Sequence, residues 1–356
     1  MAVLVPDPVK QKPSQWQPPK TLAQRVLSSE LEITGFLTCL VLVGYGLGSP
    51  LARKCLAVSH KAGTDAYDKG LDDLYYVSYW VVAFTFLRAV IMKYIYHPLA
   101  GLIGVSSFAK RQRLAEQGFT FTYYAIFWIL GMYIMYHGPH WFNTSQYWID
   151  YPHILITRMM KTYYLMQMAF WFQQLYVIHV EKRRKDHVAM VSHHIITIML
   201  LVSSYCTNFT RIGNAVLCCM DLADVFLSLA KILKYLGFQT ICDVAFGLFA
   251  VTWPITRHGF FTVIVWATAV EPTKYLDMKW EPEKGKYFTP TTQKAYLGLF
   301  MSLNAIMVYW FSMIVKVIFT VLSGNNAEDT RSDEEDEIDV DEKKQLKKIK
   351  GNGKQD

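Results

Sequence analysis

"VSHHIITIMLLVSSY", residues 191–205, is apolar enough to lie in a lipid bilayer, yet it opens on two adjacent histidines, His193 and His194. Titratable groups inside a membrane span are costly unless they are paired or hydrated, so each is a candidate for function. What the rest of the chain offers these two rings decides how the stretch is read.

The surrounding chain is built from similar stretches. Of 356 residues, 52% are hydrophobic and 15% aromatic, and the mean hydropathy is positive despite polar ends. That composition disfavours a soluble domain and a nucleic-acid partner, and predicts an all-α polytopic membrane protein in contact with lipid. A spanning helix needs about 20 mostly apolar residues. By that rule about eight transmembrane helices are expected, over 33–47, 74–96, 119–137, 163–180, 189–206, 212–236, 241–268 and 296–322. The first block is short, and Pro254 interrupts the seventh. The Pro-rich, polar start has no apolar core, so no cleavable signal peptide is expected. The six cysteines show no metal-ligand spacing and sit mostly in or beside apolar blocks, where Cys acts as a small hydrophobe.

Lys and Arg close to span ends favour the cytoplasmic side. "KRQR" (110–113), "EKRRKDH" (181–187) and "KKQLKKIK" (343–350) all fall on one side if eight spans follow a cytoplasmic N-terminus. Both termini are therefore expected in the cytoplasm. The opposite side then holds "HGPHWFNTSQYWIDYP" (137–152), with a glycosylation acceptor pattern at Asn143. A second pattern, Asn208-Phe209-Thr210, lies in a very short loop and reads as chance. The segments expected are a cytoplasmic 1–30, a first membrane region 31–112, a catalytic membrane domain 113–322 and a disordered tail 323–356. That tail carries eleven acids against seven bases. Within it Ser332 precedes Asp333-Glu334-Glu335, a pattern for acidophilic phosphorylation.

The neighbouring span, "GNAVLCCMDLADVFLSLAKILKY" (213–235), supplies the missing polarity. Asp221 and Asp224 are three residues apart and share a helix face. Helical spacing extends that face to Asn214, Cys218, Ser228, Lys231 and Tyr235, a stripe that must look into a cavity or at another helix. Adjacent helical residues lie about 100° apart, so His193 and His194 flank one sector that includes Thr197. The loop between the two blocks is short, so they form an antiparallel hairpin and a His–Asp contact is open to them. The same 100° angle is wrong for joint ligation of one ion, and the only other close histidines are His137 and His140 in "HGPH". No metal site is expected.

The residues 193–236 closely resemble the longevity-assurance motif of ceramide synthases, which have the TLC fold. The matching elements are His193-His194, Thr197, Ser204-Tyr205, Phe209-Thr210, Gly213, Met220-Asp221, Asp224, Leu227-Ser228-Leu229 and Lys231. "GTDAYDKGLDDLYYV", "FTFLR", "GMYIMYH", "AFWFQQ" and "EKRRKDH" extend the likeness to the fungal branch over roughly 50–319. Ala223 departs from the Ser usual in fungal members, and the homeobox-like insert of many animal members is absent.

The resemblance implies a TLC-type bundle enclosing a polar cavity, resident in the endoplasmic reticulum. It implies N-acylation of a sphingoid base by a fatty acyl-CoA, without a cofactor because the thioester is already activated. A small accessory subunit and a homo- or heterodimer are implied as well.

That chemistry asks for a base to deprotonate the amine and a group to receive or direct the acyl carbon. Histidine titrates in the useful range, and a carboxylate can orient it; histidine can also be the nucleophile. The expectation is that His193 becomes acylated while His194, Asp221 and Asp224 move protons and orient it. Lys182, Arg183, Arg184 and Lys185 are candidate contacts for CoA phosphates, with Arg257 and Ser228 as further substrate contacts. Arg88 and His258 are expected to hold the polar cavity together, and Gln173 and Gln174 to bond between helices. The alternatives are a non-catalytic TLC-fold lipid sensor or translocon-associated protein, and a proton-coupled transporter.

Overall fold

The computed structural model describes residues 29–105, 107–180 and 185–323. Each apolar block folds as part of a helix: α1 Glu30–Gly46, α3 Asp73–Leu102, α4 Phe108–His137, α5 Arg158–Val180, α6 His187–Cys206, α7 Thr210–Leu236, α8 Gln239–Val270 and α9 Pro290–Leu322. A short α2, Pro50–Leu56, follows α1 at a bend of 118°. Gly48 takes a left-handed φ of 78° in that bend, Ser49 caps α2, and Pro50 fills its first position, where no amide is needed. At the end of α7, Gly237 is left-handed at φ 82° and the amide of Phe238 reaches back to the Leu233 carbonyl, which stops the helix.

Five of these helices, α3, α4, α6, α8 and α9, are long and apolar enough to cross a membrane, and α1 with α2 makes six if the bent pair counts as one span. The chain is a multi-pass membrane protein. α5 and α7, at 23 and 27 residues, have the length to cross but not the apolarity. The reason is their place in the bundle. Twelve residues of α5 are buried, Lys161 and Gln167 among them, and α7 buries Asn214, Asp221 and Ser228. A helix shielded from lipid by its neighbours has no need of an apolar surface all round.

Two apolar clusters place the polar stripe between them. Tyr76, Phe84, Tyr123, Phe127 and Phe170 join α3, α4 and α5. Phe249, Trp253, Phe261, Phe300, Met307 and Trp310 join α8 to α9. α6 and α7 contribute to both, so their polar residues lie at the seam. Pro254 does not divide α8. Without an amide, and with a ring that crowds the carbonyl one turn back, it opens a π-helical stretch over Pro254–Phe260 within a continuous helix.

The end of the bundle opposite the histidines is tied by a buried lysine. Lys161 is fully buried, pairs with Asp73 at 2.8 Å, and donates to the carbonyls of Ser59 and Asp68 at 2.9 and 2.5 Å. Asp73 also accepts from Tyr205 at 2.7 Å and from the Gly70 amide at 3.0 Å. α3, α5, α6 and the loop before α3 thus meet at one ion pair. Lys69 repeats the pattern beside it, donating to the carbonyls of His153 and Ile154 and to the side chain of Asn208. Asn208 is buried and its amide donates to Gly285, which leaves no room there for a glycan.

Removing one member of a buried ion pair strands the other and costs about 3–5 kcal/mol. Lys161→Met is expected to lower the thermal unfolding midpoint in detergent, and Asp73→Asn/Lys161→Met to recover part of the loss. A midpoint unchanged by Lys161→Met would show that the pair does not hold this end.

Candidate active site

The two adjacent histidines are held in different ways. His194 is buried and donates from Nδ1 to the Met190 carbonyl, one turn back, at 2.7 Å. With Nδ1 protonated, Nε2 of the neutral ring carries the free lone pair. His193 makes no such bond. Its ring sits edge-on between Trp171 of α5 and Trp310 of α9, both centroids 5.3 Å away at 76°, and its Nδ1 is buried with no hydrogen-bond partner. His194 also packs on Trp171, at 5.2 Å.

The carboxylates are drawn to other partners. Asp224 pairs with Arg257 at 2.7 Å, and the same guanidinium nitrogen donates to the Met220 carbonyl at 2.6 Å. Arg257 lies 3.9 Å over the Trp253 ring, and its side chain is only 5% exposed. Asp221 accepts from Gln167 Nε2 at 3.0 Å, while Gln167 Oε1 accepts from the Tyr123 hydroxyl at 2.8 Å. Because a phenol donates readily and a carboxylate only accepts, this sequence of bonds fixes which way the buried amide faces.

Two cavities meet at the histidines. A polar one of about 210 Å³ is lined by His193, His194, Asp224, Ser228, Lys231 and Arg257, with Glu116 and Gln174 on the facing helices. A narrower apolar one of about 50 Å³ runs along α6 and α7 from His193 past Thr197, Leu201 and Ser204 to Phe209, Phe288 and Tyr296. His193 to Ser204 is eleven helical steps, or about 17 Å. His193 and Trp171 are on the wall of both; His194 lines only the polar one.

The sequence-derived candidates fare unequally. His193, His194, Asp224 and Ser228 come together around one cavity, whereas Asp221 is buried behind it against Gln167. Arg257, read as a substrate contact, has its guanidinium committed to Asp224, Met220 and Trp253, so it holds a carboxylate in place. Ser228 donates to the Asp224 carbonyl at 2.6 Å. Arg88 lines the polar cavity. Gln174 also lines it and bonds to its neighbour Gln173 at 2.9 Å, not across helices. Lys185 is exposed beside the cavity's helix; Lys182, Arg183, Arg184 and Ser332 lie outside the described residues. Asn143 is exposed on the far end.

Gln167, Trp171 and Trp310 escaped the sequence reading. The first two are four residues apart, one helical turn, and Trp171 lies within the quoted "AFWFQQ", so that spacing was the available signal.

Residues 113–316 match the TLC domain family. The chain is 39% identical to sphingosine N-acyltransferase lag1 of Schizosaccharomyces pombe, over 81% of this chain and 74% of that protein. It is 38% identical to the sphingosine N-acyltransferase-like protein ALT7 of Alternaria alternata, over 83% and 75%. It is 34% identical to ceramide synthase LAG1 of Saccharomyces cerevisiae, over 78% and 68%.

The apolar cavity has one position where a single carbon decides its shape. A Cβ on Gly213 would stand 1.7 Å from the Tyr164 hydroxyl, which is bonded to Ser204 at 2.5 Å. Overpacking of this kind costs about 1–3 kcal/mol. Gly213→Ala is expected to lose both stability and activity, and Gly213→Ala/Tyr164→Phe to regain part of the stability. Thermal unfolding and turnover measured side by side would check both, and a fully active, fully stable Gly213→Ala would contradict the packing.

Proposed function

Because the chain belongs to the TLC domain family and, within it, to the sphingosine N-acyltransferases, we propose that it makes ceramide by moving a fatty acyl group from acyl-CoA to a sphingoid base through His193. One observation carries the choice of residue: His193 borders both cavities, while its neighbour borders one. The polar cavity suits a CoA thioester and an amine. The apolar one suits an alkyl chain, whose burial is worth about 0.8 kcal/mol per methylene.

In the first half-reaction a nitrogen of His193 attacks the thioester carbonyl carbon. The carbon–sulfur bond breaks, and the departing thiolate takes the proton that the imidazole gives up. In the second, the neutral amine attacks the acyl-imidazole carbon. The bond from carbon to imidazole breaks, and the proton lost by the new amide nitrogen returns to His193. Net, acyl-CoA and amine become amide and free CoA. His194, with its Nε2 lone pair, is placed to take the ammonium proton of the incoming base. Asp224, fixed by Arg257 on the polar wall, supplies negative charge to hold that ammonium beforehand. Asp221 acts from behind, through the Gln167 contact.

The reading places eight crossings in the membrane, α1 and α3 to α9, with both termini cytoplasmic. The basic run 110–113 opens α4 at the end where Glu116 and Gln117 line the polar cavity, so that cavity faces the cytoplasm and its acyl-CoA. Residence in the endoplasmic reticulum and a single-span accessory partner accompany the activity. Asn143 then faces the lumen, and Asn143→Gln should abolish an endoglycosidase-sensitive mobility shift; an unshifted wild type would sink this assignment.

The purified protein given acyl-CoA without amine is expected to gain one acyl mass, mapped to His193 and lost in His193→Ala. Ceramide should form when sphingoid base is added. Turnover with no adduct would replace acylation by direct transfer with His193 as base, and no turnover with the accessory fraction of fungal membranes added would overturn the activity itself.

A further inference from the structure

Trp310 Nε1 donates to Asp186 Oδ2 at 3.1 Å, and both residues are buried, at 4% and 3% exposure. The indole so fixed meets the His193 ring at 5.3 Å, edge to face, across from Trp171. Asp186 is the residue immediately before α6 and Trp310 belongs to α9, so the contact joins the start of the histidine helix to the last helix.

What this contact does is visible by comparison with three helical histidines that bond to their own backbone, as His97 and His258 do not. His137, His179 and His194 each send Nδ1 to the carbonyl four residues back, those of Tyr133, Leu175 and Met190. The equivalent acceptor for His193 is the Ala189 carbonyl. His193 does not use it, and its Nδ1 is buried with no partner. A buried polar atom left without a hydrogen bond is unfavourable by about 1–3 kcal/mol, so the ring must be held in this orientation by its surroundings. The two indoles, with the His194 ring 5.7 Å away, are what it packs against.

We propose that Trp310, anchored by Asp186, is a positioning residue for His193: it turns the imidazole away from the backbone bond its neighbour makes and holds the ring at the junction of the two cavities. The inference rests on His193 being the reacting histidine. It adds a reason why two adjacent histidines differ, since Trp310 meets His193 edge to face and makes no ring contact with the backbone-bonded His194. Each indole also presents a π-system to a ring that becomes cationic when it is protonated or acylated, an interaction that is strongest with Trp. A carboxylate on the indole N–H enriches that ring in electron density.

The test is a double-mutant cycle on the full-length detergent-solubilised enzyme with acyl-CoA and sphingoid base. Trp310→Phe keeps an aromatic ring but loses the N–H, and Asp186→Leu removes the acceptor at similar volume. Misplacing a reacting group by about 1 Å can cost about a hundredfold, so each change is expected to lower kcat by about ten- to a hundredfold. KM for both substrates should stay within about threefold, since ground-state binding is not what the clamp supplies. The double variant should be no slower than the slower single, because one chain of contacts can be broken only once. Asp186→Asn, which still offers an oxygen to the indole, should retain more of kcat than Asp186→Leu.

A folded Trp310→Phe with undiminished kcat, or losses that multiply in the double variant, would overturn the proposal. If Trp310→Phe does not fold, the contrast between Asp186→Leu and Asp186→Asn decides alone: equal kcat in the two overturns it. Acylation of His193 by acyl-CoA alone is followed in parallel. A wild type that turns over without an adduct ends the acyl-histidine reading, while the cycle in kcat still decides the clamp, because a His193 acting as base needs the same orientation.

Discussion

Arg257 is the interaction on which the polar interior depends. Its guanidinium ties α8 to α7 through both the Asp224 carboxylate and the Met220 carbonyl, and it lies flat on Trp253 of its own helix. Lipid cannot solvate any of these groups, so each charge offsets the burial cost of the other. The π-helical stretch that begins at Pro254 is where Arg257 sits. The proline that interrupts the apolar pattern and the arginine that anchors the site are therefore parts of one device.

Around that anchor the bundle separates two environments with unusual economy. α7 carries Asp224, Ser228 and Lys231 toward the polar cavity, and Gly213, Val216, Leu217 and Met220 toward the apolar one. α6 does the same with the histidines and with Thr197, Leu200 and Leu201. A reaction that joins a water-soluble carrier, a long alkyl chain and a membrane amine needs a place where all three are within a bond length. His193, which lines both walls together with Trp171, is the reacting side chain of the proposed reaction. The flanking tryptophans suit that place because they are apolar enough for the chain and pack their rings against the imidazole.

Much of this could be read from the chain alone. The eight apolar blocks all fold as helices because each is long enough to close its own backbone hydrogen bonds. The stripe from Asn214 to Lys231 follows from 3.6-residue periodicity. The family was legible in the motif running from His193 to Leu236. What the sequence did not disclose were pairings between distant segments. Asp224 with Arg257, Asp221 with Gln167, and His193 with Trp310 lie 33, 54 and more than a hundred residues apart. Nothing in local spacing selects them from the other polar and aromatic residues on offer. Helical position predicted that the histidines differ in direction, but it takes the tertiary neighbours to show that one ring bonds to the backbone and the other does not. Apolarity is the weaker guide for α5 and α7, whose buried polar residues face the interior of the bundle.

The ion pair between Asp73 and Lys161 has a consequence for biogenesis. The two residues are 88 positions apart, and α4 lies between them in the chain. During synthesis Asp73 emerges first, at the start of α3, and its ion-pair partner Lys161 follows only when α5 is made. An unpaired carboxylate is poorly tolerated in the hydrocarbon layer, and Asp73, the first residue of α3, waits at the end of the span until its lysine arrives. The first helices are therefore not an independently settled unit. They lock only when the fifth arrives, and Tyr205, at the end of α6, completes the acceptor set later still. Assembly is thereby timed from the far end of the bundle, away from the chemistry it will house.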